Sequence, residues 1–301
     1  MVLNASPTTI PATEVRVVSH ALASLGESPV WRSPNVFWVD SHEKTVYSSP
    51  GEGQRDAKAL HRHSQVLGSI VPTDDDRWVL GLQDQIWLST KDGGEGELLA
   101  IIHHPSMDHR LNDATADPQG RLLIGSINER RDRNNATLYS LAYGETPRVL
   151  RAGLTLSNGI DWSPDGGTIY FTDSVQQTIF CADYTDDGEL RNEKVFATDQ
   201  GEALPDGLTV DAEGFVWSAK WKGHRVVRYD PSGRIDTVLE LPVPQPTSVA
   251  FGGTDMKTLF ITTARVTLDE SELADHPLSG SLLAFDTPFR GREASVFKTG
   301  K

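Results

Sequence analysis

Short apolar runs rich in aromatic and β-branched residues alternate along the chain with clusters of Gly, Pro, Asp and Asn. Long stretches with a helical period are hard to find, so the pattern predicts an all-β protein. Six of the runs can be laid on one another: Val36-Phe37-Trp38-Val39, Trp78-Val79-Leu80-Gly81, Leu122-Leu123-Ile124-Gly125, Ile169-Tyr170-Phe171-Thr172, Phe215-Val216-Trp217-Ser218 and Leu259-Phe260-Ile261-Thr262. Their starts are separated by 42, 44, 47, 46 and 44 residues. A turn signal precedes most of them, such as Asp117-Pro118-Gln119-Gly120 or Asp211-Ala212-Glu213-Gly214, and a second apolar run follows each. Several strands in a period of about 45 residues describe one propeller blade, so six marks predict a six-bladed β-propeller. A β-sandwich with coincidental spacing is the competing arrangement.

Val15-Arg16-Val17-Val18 precedes the first mark and is left over. It is expected to complete the last blade, closing the ring and removing an exposed edge. No interdomain linker is visible, so residues 1–301 read as one domain, with 1–14 as a flexible extension. Thr263 to Leu282 reads as a loop at one end of the ring. Trp38, Trp78, Tyr170, Trp217 and Phe260 are expected in the core between blades.

Four polar side chains stand at one offset before the next mark: Glu27 by 9 residues, Asn112 by 10, Asn158 by 11 and Asp206 by 9. Residues at equal offsets in different blades lie on a ring around the propeller axis. Alone, Gly26-Glu27-Ser28-Pro29, Asn158-Gly159 and Asp206-Gly207 are ordinary turn chemistry. Together they bring two carboxylates and two carboxamides to one point. The other two blades offer the smaller Ser69 and Ser248, which leaves the ring lopsided and open on one side. Oxygen donors without sulfur suit Ca²⁺, Mg²⁺ or Mn²⁺ better than a closed structural zinc site.

The formal net charge of −14 and the lack of a Lys/Arg cluster argue against nucleic acid or an anionic membrane as partner. A small-molecule substrate is expected instead. The first residues show no secretory signal, and no apolar run is long enough to span a membrane, so a cytoplasmic location is expected. Cys181, the only cysteine, reads as a buried inert thiol. His103, His104 and His109 crowd before Arg110 without any catalytic motif, and read as loop or lid residues. Lys220 reads as a packing or surface residue rather than a substrate contact.

Leu25-Gly26-Glu27-Ser28-Pro29-Val30-Trp31, Arg110-Leu111-Asn112-Asp113, Ser157-Asn158-Gly159, Pro205-Asp206-Gly207 and Thr262-Thr263-Ala264-Arg265, in this order and spacing, resemble the senescence marker protein, gluconolactonase and regucalcin family. The resemblance runs from about Leu25 to Arg265. It implies a six-bladed propeller lactonase in which Glu27, Asn158 and Asp206 bind one divalent metal (Ca, Zn, Mn or Mg). It places Arg110 and Asn112 on the substrate, which moves Asn112 away from the metal. It matches Glu129 to an acidic substrate contact, although Arg130-Arg131 follow where some members continue acidic. The expected reaction is hydrolysis of a sugar lactone to its aldonic acid by a monomer or small homo-oligomer. Asp206, or the metal itself, would activate the water. Two alternatives stay open: an aryl-ester or phosphotriester hydrolase on the same scaffold, and a calcium-binding propeller without activity.

Overall fold

The computed structural model describes residues 6–53 and 56–300. Six sheets, each of four antiparallel strands and one with a further parallel edge strand, make up the fold. Their innermost strands are Gly26–Arg32, Leu67–Pro72, His109–Ala116, Ser157–Trp162, Leu204–Val210 and Pro246–Gly252, in blades one to six. The fold is the expected six-bladed propeller.

Closure follows the expected route. Val15–Ser19 pairs antiparallel with Leu282–Asp286 as the outermost strand of blade six, with Val17 opposite Leu283. A strand from near each end of the chain is thereby held in one sheet, which joins the first residues of the ring to the last. The flexible extension expected for residues 1–14 needs correction. Thr8–Ile10 forms a strand parallel to Ile235–Glu240 of blade five, with Thr9 opposite Val238, and Ala12–Glu14 forms a 3-10 turn. Thr8, Thr9 and Ile10 are β-branched, and Ile10 packs against the core between blades five and six, which outweighs the tendency of a terminus to fray. Residues 1–5 of the expected extension lie outside the described residues.

The core lies between neighbouring blades, where the sheets stack face to face. Trp217, Leu239, Phe251 and Leu259 fill the space between blades five and six, and Leu138, Trp162, Ile169 and Phe171 that between three and four. Trp38, Tyr170, Trp217 and Phe260 are buried as expected, while Trp78 is half-buried against Phe37. Cys181 is buried, and burial raises its thiol pKa. The expected loop after Thr263 contains a short helix, Glu270–Asp275, begun by a reciprocal capping box between Asp269 and Glu272. Residues 287–300 cross one end of the ring. Gly291 bonds to Met256 of blade six, Phe297 to Pro72 of blade two, and Lys298 to Gly120 of blade three.

One correction bears on the site. The six apolar marks fall in the second strand of each blade. The Gly-Glu-Ser-Pro, Asn-Gly and Asp-Gly tokens are not turns. They lie inside the innermost strands, each of which carries one extra residue relative to its partner: between Glu27 and Val30, Leu67 and Ser69, Leu111 and Ala114, Asn158 and Ile160, Pro205 and Leu208, and Pro246 and Ser248. Such bulges re-aim side chains, and here the same irregularity recurs in every blade at one height.

Candidate active site

Alternation along an extended strand puts residues i and i+2 on the same side. Four blades use this where the chain enters the innermost strand and its bulge. Leu25 with Glu27, Arg110 with Asn112, Leu156 with Asn158, and Leu204 with Asp206 all line one cavity of about 210 Å³ at one end of the bore. At roughly 30 Å³ per water, it has room for about seven waters or one sugar-sized molecule. Glu129 and Arg131 from the loop after the second strand of blade three, Ser174 of blade four, Trp221 of blade five, and Val266 and Thr267 between the second and third strands of blade six extend the wall, with His42 and Ile127. The inner strands of blades two and six contribute nothing to it. The ring is lopsided, as the offsets anticipated.

All six site residues singled out in the sequence meet here, and most of them are tied together. Arg110 donates from Nε to Glu129 Oε1 (3.0 Å) and from Nη1 to Leu111 O (3.0 Å) and Asn112 Oδ1 (2.7 Å). Asn112 Nδ2 donates to Ser157 O (3.0 Å) and Asn158 Oδ1 (2.7 Å). Asn158 Nδ2 donates to Ser174 Oγ (2.9 Å). Both amide hydrogens of Asn112 are therefore engaged inside the protein, and its free capacity is one acceptor lone pair. Among the described residues Arg110 Nη2 has no partner.

The two carboxylates stand outside this chain of bonds. Asp206 is 6% exposed, and its Oδ1 is buried without a hydrogen-bond partner. Burial, and then the charge of Asp113, hold Asp206 well above the usual carboxylate range, with Arg131 and Lys220 pulling the other way. Burial, then Asp206, then Asp113 do the same to Glu27, against Arg110. Asp113, inside the bulge, lines the opposite half of the bore, and burial pushes it up to about 6. Three acids thus crowd a desolvated channel with too few donors between them. Burying like charges this way is unfavourable unless a cation or substrate answers them.

The glycines after the polar residues serve the bore rather than a turn. A Cβ on Gly159 would come within 2.6 Å of Leu208 N and 2.7 Å of Asp206 O, and one on Gly207 would strike Ser248. Only glycine lets neighbouring inner strands approach so closely.

A family model described as the SMP-30/Gluconolactonase/LRE-like region matches residues 25–265. The chain belongs to this family. It is 33% identical over 266 residues to a 6-deoxy-6-sulfogluconolactonase of Pseudomonas putida, covering 86% of this chain and 90% of that one. An L-arabinolactonase of Azospirillum brasilense is 31% identical over 95% of this chain and 96% of its own. Among solved structures, a calcium-binding protein, regucalcin, from Agrobacterium tumefaciens superposes with a TM-score of 0.89 at 26% identity, covering 97% of this chain and 99% of that one. With such relatives the chain is a member of a sugar-lactonase family. Among the described residues no helix is long and apolar enough to cross a membrane.

Other residues resolve differently from their neighbours. His109 is buried and fixes the loop before blade three, with Nδ1 on Ser106 Oγ (2.9 Å) and Nε2 on Asn135 Oδ1 (3.0 Å). His104 stacks on it and His103 is exposed, and none of the three lines the cavity. Lys220 is fully buried, binds Asp199 (2.7 Å), and lies behind the cavity wall. Ser174 and two buried aspartates carry no signal that the sequence reading used. Asp40 accepts from the N–H groups of Ser24 (2.7 Å) and Leu25 (3.2 Å), and Asp173 from those of Thr155 (2.8 Å) and Leu156 (3.3 Å). Each thereby pins the entry to an inner strand two residues before Glu27 or Asn158. The recurring Leu-x-Glu, Leu-x-Asn and Leu-x-Asp triplets were the available signal for the apolar half of the wall.

Proposed function

We propose that the chain hydrolyses a sugar lactone to the open-chain aldonic acid in this cavity, with a divalent cation held by Glu27, Asn158 and Asp206. The observation that supports it most is the buried, donorless Oδ1 of Asp206 in a pocket shared with Glu27. Two carboxylates and an amide oxygen form a hard donor set that suits Ca²⁺, Mg²⁺ or Mn²⁺, with Zn²⁺ a further candidate. When bound, such a cation supplies Lewis-acid polarisation of the lactone carbonyl and stabilises the charge that develops on its oxygen.

The chain's own residues do the rest. Asp206 takes a proton from the attacking water, whose oxygen bonds to the carbonyl carbon. The bond between the carbonyl carbon and the ring oxygen then breaks, and the ring oxygen leaves as a hydroxyl after receiving the proton that Asp206 took from the water. Arg110, braced by Glu129 and Leu111 O, turns its free Nη2 toward a substrate oxygen. Asn112 transmits that bracing to Asn158 and offers its remaining lone pair to a hydroxyl. Leu25, Leu156 and Leu204 give the sugar ring an apolar wall.

The lining charges favour one class of lactone. Three carboxylates (Glu27, Glu129 and Asp206) face two guanidiniums (Arg110 and Arg131), and a divalent cation would leave one positive charge over. Arg110 is paired with Glu129, whereas Arg131 makes no ion pair among the described residues. We therefore read the substrate as a lactone carrying an anionic group away from the reacting carbonyl. That agrees with the relative named for 6-deoxy-6-sulfogluconolactone.

The test is a panel of neutral and anionic lactones and an aryl ester, assayed after chelation and again after adding back single divalent ions. Lactone turnover restored by a divalent ion is the expected result. Turnover of the ester alone, or cation binding without any turnover, would overturn it.

A further inference from the structure

A second group of metal-type side chains lies on the rim of the ring, and none of its members lines the bore cavity. His61 belongs to Lys58–Arg62, the outermost strand of blade one, and His63 follows it. Glu95 opens Glu95–Ile101, the outermost strand of blade two. Two residues apart on extended chain, the imidazoles fall on one side. Their centroids are 4.6 Å apart. His63 Nδ1 lies 3.0 Å from Glu95 Oε1, and His61 Nε2 lies 3.9 Å from Glu95 Oε2. One ligand atom from each residue falls within 4.8 Å of the other two.

A simple ion pair does not account for this group. The His63 side chain is wholly buried. Its second nitrogen, Nε2, is buried without a partner. The neighbourhood is also shaped around His61. A Cβ on Gly94 would come within 3.1 Å of His61 Cε1, and one on Gly93 within 3.7 Å of its Cβ. The turn carrying these glycines is closed by Thr90 N donating to Gly94 O (2.8 Å), and His63 N is anchored on Lys44 O (2.7 Å). The side chains of His61 and Glu95 keep 33% and 29% exposure, so the group can be reached from solvent.

We propose that His61, His63 and Glu95 form a rim site for a transition-metal dication such as Zn²⁺, separate from the oxygen site in the bore, which clasps the outer strands of blades one and two. Two imidazoles and one carboxylate favour Zn²⁺ and its nitrogen-seeking neighbours over Ca²⁺ or Mg²⁺. Tetrahedral zinc with bonds of about 2.0–2.1 Å separates its ligand atoms by roughly 3.3 Å. The 3.0 Å gap between His63 Nδ1 and Glu95 Oε1 is already within about half an ångström of that, and the three ligand atoms, within 4.8 Å of one another, close further around the ion. A fourth position stays open for water.

The experiment uses the full chain with the bore silenced by Glu27→Gln and Asp206→Asn. After chelation, Zn²⁺ is titrated calorimetrically, and Co²⁺ is followed by its visible absorption, which is intense for tetrahedral coordination. One equivalent of Zn²⁺ and a tetrahedral Co²⁺ spectrum are expected. Both are expected to vanish on adding His61→Ala, a half-exposed position whose loss leaves the fold intact by circular dichroism. In the chain with an unaltered bore, His61→Ala should leave lactone turnover unchanged. Absence of Zn²⁺ binding in the silenced chain, or binding that survives His61→Ala, overturns the proposal.

Discussion

Two aspartates five residues apart in blade five meet opposite conditions. Asp211 accepts hydrogen bonds from the N–H groups of Glu213 and Phe215 (3.0 Å each), from Trp217 Nε1 (3.0 Å) and from Arg228 Nε (2.9 Å). Arg228 also binds Glu213 and Asp236 (2.8 Å each) and lies over the rings of Phe215 (3.7 Å) and Phe289 (3.6 Å). Asp206, equally buried, has an oxygen that nothing in the chain approaches with a proton. Buried charge is tolerated where every lone pair is met, and the scaffold meets that demand at Asp211. The bore does not. Incomplete matching confined to one end of an otherwise satisfied scaffold marks the place kept for something the chain does not itself supply.

The comparison can be broken most forcefully at its satisfied side. Asp211→Ala leaves Arg228 buried beside fewer acids and is expected to lower the unfolding free energy by about 3–5 kcal/mol in urea titrations. A variant as stable as the parent would show that the network contributes nothing. At the unsatisfied side the sign reverses. Asp206→Asn is expected to stabilise the chelated protein by about 1 kcal/mol or more, because a desolvated charge is removed. The same change should lower lactone turnover by about 10³-fold, equivalent to roughly 4 kcal/mol in the barrier. Loss of stability on Asp206→Asn under chelation would contradict the reading of an unanswered charge.

Lys220 sharpens the contrast, since it is buried with a single acidic partner among the described residues, Asp199, and lies 4.9 Å over the Tyr229 ring. Burial pushes its pKa down to about 8, with Asp199 acting in the opposite sense. A lysine with a depressed folded pKa binds fewer protons folded than unfolded between the two values, so stability rises with pH there. The gain between pH 8 and the ordinary lysine value of 10.5 is at most about 3 kcal/mol. Lys220→Met should flatten that slope relative to the parent in denaturation curves across the same window. An unchanged slope would remove Lys220 as its source.

The smallest effect belongs to the mouth of the cavity. Arg131→Ala is expected to lower kcat/KM for an anionic lactone by about tenfold and to change that for a neutral one by less than about threefold. Equal losses on both substrates would refute the charge reading while leaving lactone hydrolysis in place.

Much of the architecture was legible along the chain. Repeated β-branched and aromatic runs at steps of 42 to 47 residues specify six blades, and Val15–Ser19 was visible as the spare strand that closes them. Glu27, Asn112, Asn158 and Asp206 could be singled out because repeats translate a constant offset into a common height, whereas Arg110 and Glu129 came only from the family resemblance. That arithmetic works without coordinates, since each blade is a local unit built the same way. Three things were decided only in the folded protein. The Asn-Gly and Asp-Gly pairs became bulges instead of turns, because the pairing register with the second strand, not the dipeptide, selects between them. Ser174, Asp40 and Asp173 acquired their positioning roles through bonds between strand ends that no spacing rule announces. The imbalance at Asp206 exists only where burial removes water from a carboxylate and no donor replaces it, a property of the assembled bore rather than of the residues that enter it.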